Sequence, residues 1–307
     1  MIGRERILKM VEQLPYLGQI FAILTAISWA FAVILFKKSG ETVHPVALNL
    51  FKNLLAMVLL VPTIFLFGEP VRNLFTNDEY ALLLLSGALG IGIADTLFFK
   101  SLNLLGAGLS AIVDCMYSPS IIILAFLWLG ETLSIAQMIG IIIIISAVLT
   151  ISKADNGKMI SRHDLVSGIV LGILAMATMA VGVVIVKPIL DRSPILWLTE
   201  VRLMGGIIIL VFVLLFHPGR RKIISPRLDR QGWVYTISGS FIGSYVAMVL
   251  WLAGMKYTKA SIAAALNQTA NIFIFIFAAW LLKEPITPRR LAGIALGVSG
   301  AFIVTFG

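Results

Sequence analysis

Apolar residues dominate this chain in ten long runs, and the polar positions gather between them. The runs occupy about 16–39, 44–67, 79–101, 106–128, 133–152, 164–187, 194–216, 229–254, 260–282 and 288–306. Each is close to or above the roughly 20 apolar residues that a helix needs to cross a bilayer. The pattern predicts an all-α polytopic membrane protein with ten transmembrane helices. The longest connections lie near Gly68 to Asp78, Lys153 to Arg162 and His217 to Arg230. Each holds only about a dozen residues, too few for a soluble catalytic domain.

Composition sharpens this picture. With 59% hydrophobic and 13% charged residues among 307, a water-soluble globule would lack polar surface to cover itself. The net charge of +9 does not point to nucleic acid, because the basic residues sit in short loops beside the spans. Arg4, Arg6 and Lys9 precede the first run, which is longer than a signal-peptide core and lacks a small-residue cleavage site. It reads as a retained span. The single cysteine, Cys115, excludes an internal disulfide. No metal-ligand cluster stands in the sequence, and no cofactor is expected.

The second half repeats the first. An offset of 153 pairs Leu97 with Leu250, Ala107 with Ala260, Ala111 with Ala264, Glu131 with Glu284, Gly140 with Gly293 and Ser146 with Ser299. An offset of 149 pairs Ala26 with Ala175, Lys38 with Lys187 and Pro45 with Pro194. The chain therefore divides into five-helix repeats at 16–152 and 164–306. Five is odd, so the second repeat starts on the opposite side of the bilayer and the repeats are inverted. That plan recurs in carriers, where exchanging the conformations of the halves moves the opening from one side to the other.

The residues of this repeat include Gly130-Glu131-Thr132 with Gln137 and Gly140, and Lys283-Glu284-Pro285 with Thr287, Arg290 and Gly293. They resemble the EamA-domain branch of the drug/metabolite transporter superfamily, and the likeness covers nearly the whole chain. Two positions depart from the family pattern: Lys52 stands where arginine is frequent, and Asn271 where proline is frequent. The resemblance implies a ten-helix carrier in which spans one to four and six to nine surround a central cavity, with five and ten outside. Spans five and ten lack ionisable residues in their interiors, as suits helices facing lipid or a partner subunit. Gly293, Gly297 and Gly300 give span ten a small-residue face, and a homodimer through helices 5 and 10 is one expectation.

Five ionisable residues fall well inside spans: Asp95, Asp114, Glu200, Lys52 and Arg202. A charge at the centre of a lipid-facing helix costs about 2.5 to 3.5 kcal/mol, so such groups normally face a cavity or a partner. Asp114 shares a face with Ser110, Tyr117 and Ser118 by helical spacing. The 153 offset places Asn267 and Asn271 opposite Asp114 and Ser118. Asp114 is expected to bind substrate or a proton, or else to be a structural acid paired with another helix. Asp95 admits the same two roles. Asn49, Lys52 and Asn53 form a polar face on span two, with Arg202 the rough counterpart on span seven. Both cations either bind an anion or pair at a gate, or snorkel to the nearer interface. Glu200 is expected to pair with another span. Trp29 and Tyr117 are candidates for the cavity wall. Lys38, Lys187, Glu131 and Glu284 read as helix-end and turn residues.

The expected substrate-binding set is thus Asp114, Asn267, Asn271, Tyr117, Trp29, Asn49, Lys52 and Arg202, with Asp114, Asp95 and Glu200 as proton-coupling candidates. The expected function is secondary transport of small organic metabolites such as amino acids, in the export direction, by alternating access in the cell (inner) membrane. A lipid scramblase or channel-like facilitator is the alternative within membrane function. An intramembrane protease is more remote, since GxGD is absent and His44, His163 and His217 all sit at span ends. Orientation stays open: about 8 Lys and Arg flank the face with the termini against about 14 on the other, whereas the resemblance implies cytoplasmic termini.

Overall fold

The computed structural model describes residues 16–67, 75–130, 132–152, 160–190, 193–224, 229–258 and 260–307. Arg4, Arg6, Lys9, Arg72, Glu131, Lys153, Arg192 and Lys259 lie outside the described residues. Among the described residues ten helical rods follow one another: α1 (Leu17–Ser39), α2 (Pro45–Phe67), α3 (Asn77–Leu105), α4 (Ala107–Asp114 and Tyr117–Leu129), α5 (Ile135–Ser152), α6 (Arg162–Val184), α7 (Ile195–Phe216), α8 (Arg230–Ser240 continuing to Ala247–Tyr257), α9 (Ala260–Gln268 and Ala270–Leu281) and α10 (Pro288–Phe306). Short helices at Lys187–Leu190 and Arg220–Ile224 follow α6 and α7. Eight rods are long and apolar enough to cross a membrane by themselves, while α5 and the later part of α9 are shorter.

The polar punctuation of the sequence starts several of these helices. Thr76 and Glu79 form a reciprocal capping box on α3, Ser161 caps α6, Asp229 caps α8, and Thr287 with Pro288 opens α10. Each side-chain oxygen takes up an amide that would otherwise be unpaired in the first turn.

The helices form two four-helix groups of mixed parentage. In one, α3 packs along α6 and α7 and α4 against α6; in the other, α1 packs along α8 and α9 and α2 against α8. The α2–α7 contact joins the groups. The two groups exchange under a swap of the repeats, and the irregularities of the helices follow the same rule. A π-helical segment, Ala88–Ile93, interrupts α3, and another, Phe241–Val246, interrupts α8 at the 153 offset. In α4 the Met116 amide donates to the Val113 carbonyl (2.9 Å), and in α9 the Thr269 amide donates to Leu266 (3.1 Å), again at that offset.

The two tightened turns have local causes. Pro119 has no amide for the Cys115 carbonyl, so α4 cannot keep regular bonding there. In α9 the Thr269 hydroxyl takes the Leu266 carbonyl at 2.5 Å. The turns meet across the repeats: Gln268 Nε2 donates to Ser118 Oγ (2.6 Å) and Asn271 Nδ2 to Cys115 Sγ (3.5 Å). Cys115 corresponds to Gln268, and Ser118 to Asn271. Each residue therefore contacts the counterpart of the other's equivalent, which is the signature of a twofold relation. The axis of the inverted repeat runs between α4 and α9.

Helices α5 and α10 pack on each other outside the two groups, as the resemblance implies. A Cβ at Gly300 would lie 2.7 Å from Ile144, one at Gly293 3.0 Å from Ile112 and Ile151, and one at Gly297 2.9 Å from Cys115 Sγ. The glycine face expected to serve a partner subunit is thus filled within the chain. Small residues there let α10 approach α4 and α5 closely. The outer faces of α5 and α10, including Ile139, Ile142, Leu149 and Leu291, are exposed and apolar.

Candidate functional site

The α2–α3 contact holds a buried polar knot. The π segment of α3 leaves carbonyls without regular helical partners, and Asn49 Nδ2 occupies them, donating to Ile91 and Gly92 at 2.9 Å and to Thr96 Oγ1 at 3.0 Å. Its Oδ1 accepts from Asn53 Nδ2 (2.9 Å). Asn53 Oδ1 accepts from Lys52 Nζ (2.8 Å), which also pairs with Asp95 Oδ2 at 2.7 Å. Lys52 is 5% exposed, so it does not snorkel to the interface. A cation and an acid, treated separately in the sequence, neutralise one another across the two helical groups.

Arg202 on α7 is placed differently. Its Nε donates to Ser86 Oγ (2.8 Å), and the Ser86 hydroxyl in turn donates to the Gly182 carbonyl. That chain anchors the guanidinium to α3 and α6. Its charge is within electrostatic range of Tyr117 on α4 and Asp95 on α3. The residues of the α3 π segment make room, since a Cβ on Gly90 would lie 3.3 Å from Arg202 Nη2. Among the described residues, neither terminal nitrogen of the guanidinium makes a hydrogen bond or ion pair. By the 153 offset the counterpart of Asp95 is Met248, so the second repeat has no acid at that position.

Near the twofold axis, Asp114 is half-buried and makes no hydrogen bond or ion pair among the described residues. The tightened turn after it has about three residues per turn, which keeps Tyr117 on the same face. Asn267 Oδ1 and Ser110 Oγ are buried and have no hydrogen-bond partner among the described residues. Trp29 is half-buried on α1, its ring 6.5 Å from Phe36. Glu200 departs from expectation. It is 4% exposed, its Oε2 has no hydrogen-bond partner, and no basic residue pairs with it among the described residues. Its helical neighbours Leu196 and Leu203 pack on Ala56 and Leu60 of α2, an apolar setting.

The structure therefore joins Lys52 to Asp95 across α2 and α3 and anchors Arg202 of α7 on Ser86 of α3. It puts Asn271 in contact with α4 and leaves Asp114 uncompensated. Lys38 is a helix-end residue that meets Glu41 at 3.3 Å, as the sequence suggested.

One face of the protein carries contacts that sequence reasoning missed. Glu284 precedes α10, yet its carboxylate accepts from the amides of Ala107 (2.7 Å) and Gly108 (3.0 Å) at the start of α4 in the other repeat. Arg290 lies 3.7 Å from the same carboxylate. Nearby, Lys37 Nζ donates to the Asn103 carbonyl (2.9 Å), and Ser39 and Thr236 share a hydrogen bond at 2.7 Å. The Glu284 and Ser39–Thr236 bonds tie the repeats together on the face of the α3–α4 and α9–α10 connections, and Lys37 joins α1 to α3 there. The sequence signal was the recurrence of Glu131 and Glu284, which gave no hint of a partner made of backbone amides.

The fold and site define a polytopic α-helical membrane protein built from two inverted five-helix repeats. The chain belongs to the EamA-like transporter family, whose pattern matches it twice, over residues 16–153 and 166–306. It is 24% identical over 277 residues to an uncharacterized transporter of Archaeoglobus fulgidus, spanning 90% of this chain and 93% of that protein. It is 25% identical over 289 residues to the uncharacterized transporter YvbV of Bacillus subtilis, spanning 92% and 88%. Protein PecM of Dickeya dadantii is 25% identical over 228 residues, or 71% of each chain. A solved crystal structure of a protein shares the fold, with a TM-score of 0.64 at 15% identity over 93% of this chain and 95% of the other. The protein is a multi-pass membrane transporter of this family.

Proposed function

We propose that the protein is a secondary carrier that exports small organic metabolites, amino acids foremost, across the cell membrane by alternating access. The observation that carries this reading is a pair of helical groups that a twofold axis interchanges, with the Asp114 carboxylate beside that axis and, among the described residues, without a hydrogen-bond or ion-pair partner. A carrier needs a binding site shared by two halves that swap conformations, and such sites lie near the bilayer midplane at the repeat interface. The bonds from Glu284 to α4 mark the face that is tied shut in this conformation. Asp114 is the proton-coupling candidate we favour, because it stands beside the twofold axis with no side-chain partner among the described residues, whereas Glu200 is set beside the apolar contact of α7 with α2.

The reading is tested in proteoliposomes. Efflux of preloaded amino acids should saturate with concentration, and Asp114→Asn should lower its rate by an order of magnitude or more. Imposing a pH gradient on wild-type vesicles should drive accumulation if Asp114 carries the proton, and that drive should vanish in the same variant. Flux of phospholipid analogues at a rate exceeding that of every amino acid would favour the lipid-moving alternative.

A further inference from the structure

We infer that the cavity between the α1–α2 and α7–α8 connections is a binding site for a phosphate monoester, held by His44, His217 and Lys222. It lies at the ends of the spans rather than at Asp114, and it stands independently of the carrier reading. The cavity has a volume of about 940 Å³ and is lined from both connections, by Thr42 and His44 on one side and His217, Gly219, Lys222 and Ile223 on the other. Ile223 packs with Val46 of α2 and with Leu210 and Leu214 of α7, which ties the cavity to the α2–α7 contact.

The backbone decides what the two histidines offer. His44 Nδ1 accepts the Val46 amide (3.3 Å), and His217 Nδ1 accepts the Gly219 amide (3.0 Å). A ring nitrogen that accepts carries no proton, so in each neutral ring the proton sits on Nε2. Both rings therefore present an Nε2–H donor. Their centres lie 6.1 Å apart, which brings the two donors within reach of one oxyanion. Lys222 adds an ammonium from the short helix Arg220–Ile224. A phosphate monoester has three strong acceptor oxygens, one for each of these donors, whereas a carboxylate has two oxygens.

Charge points the same way. Burial first, then the positive charges of Lys100 on α3 and of His217, keep His44 from protonating readily, so the surroundings of its ring are electropositive. Glu41 also lines the cavity, but its Oε1 is paired with Lys38 at 3.3 Å. Lys222 and Lys100 then leave the site positive, as a phosphate requires. The site also bridges the two helical groups, since His44 precedes α2 and His217 follows α7. A phosphate that accepts from both rings holds that joint together. The monoester can belong to a soluble metabolite or to a lipid of the phosphatidic-acid type. Phe212 and Phe216, exposed on the last turns of α7 just before His217, give a lipid tail apolar surface to lie on.

The test uses the full-length protein purified in a non-ionic detergent, with thermal stabilisation as the readout of binding. The probes, at matched ionic strength, are glycerol phosphate, dioctanoyl phosphatidic acid, dioctanoyl phosphatidylglycerol and acetate. Wild type should be stabilised by one or both monoesters, about tenfold more potently than by the phosphatidylglycerol diester or by acetate. His217→Phe keeps an aromatic ring without a donor, and Lys222→Gln removes the ammonium. Each should raise the half-stabilising concentration of the monoester about tenfold, because a hydrogen bond to a charged group is lost. Both residues are exposed, so the variants should fold. Arg162→Gln, at an exposed cation on the first turn of α6, should leave the value unchanged and controls for general attraction of anions.

Glycerol phosphate at least as potent as phosphatidic acid assigns the site to soluble esters, and phosphatidic acid the more potent of the two assigns it to a lipid. Stabilisation by the diester or by acetate as potent as that by the monoesters would overturn the site. So would stabilisation that survives both His217→Phe and Lys222→Gln, or none from either monoester.

Discussion

Replacing Lys52 with methionine removes the only hydrogen-bond and ion-pair partner that Asp95 has among the described residues, a Nζ to Oδ2 contact of 2.7 Å. Asp95 is 9% exposed, so water cannot take over that role. Breaking a buried pair from one side costs about 3 to 5 kcal/mol, because a carboxylate is left uncompensated. Asn53 Oδ1 also loses its donor at 2.8 Å, which adds roughly 1 kcal/mol. Asp95→Leu alone should be costly for the reciprocal reason. The double variant Lys52→Met/Asp95→Leu removes both charges together, and should recover to within about 1 kcal/mol of wild type or exceed it. Coupling between the two sites should therefore be about 2 kcal/mol or more. The assay is reversible unfolding of the purified protein in mixed micelles by titration with dodecyl sulfate, followed by tryptophan fluorescence. A loss below about 1 kcal/mol for Lys52→Met, as expected of a snorkelling lysine, would refute the reasoning. So would a double variant no more stable than the sum of the singles.

Other expectations follow from the same contacts. Glu284→Gln removes a carboxylate that accepts from two amides, and should cost about 1.5 to 3 kcal/mol; hydrogen exchange at Ala107 and Gly108 should accelerate while that of α6 does not. A methyl group on Gly87 would overlap the backbone carbonyl of Arg202, so Gly87→Ala should part α3 from α7 and lower the melting temperature. Gly130→Ala meets nothing within 4 Å and is opposed only by a φ of 67°, so it should cost about 1 kcal/mol, as judged by melting temperature. His44 accepts the Val46 amide at Nδ1 (3.3 Å), and burial, then Lys100 and His217, hold its pKa below the ordinary histidine value. Its folded-state pKa is depressed, so its contribution to stability is complete above the unfolded value of about 6.5 and is lost as pH falls through the lowered folded value. A pH series of melting temperatures should show that acid limb, and His44→Gln should flatten it.

The ten helices were legible because a bilayer demands long apolar runs, and the inverted repeat was legible because its register is written in residues such as Ala107 and Ala260. The 153 offset went further than expected: it also places both π segments and both tightened turns. Those irregularities themselves were not visible, since an extra residue in one turn leaves an apolar run apolar. Pro119 was the exception, a local cause that could have been read in advance. Lys52 and Asp95 were each singled out, but their pairing depends on the register of α2 against α3, which one-dimensional spacing does not contain. The glycines of α10 correctly signalled close packing, but not against which surface. Glu284 was hidden more deeply, because its partners are backbone amides that carry no residue type. Glu200 misled for the opposite reason: an acid in a span implies a partner, and here it is surrounded by Leu196, Leu203 and the apolar side of α2.

The central claim is that two interchangeable halves carry a solute through a site at their axis, and counterflow tests it most directly. Vesicles containing the purified protein would be preloaded with an unlabelled amino-acid mixture and diluted into a trace of the labelled mixture. The account predicts transient accumulation of label above equilibrium, saturable and lost in Asp114→Asn. Label that only equilibrates, at a rate indifferent to the preloaded solute and to that substitution, would contradict it.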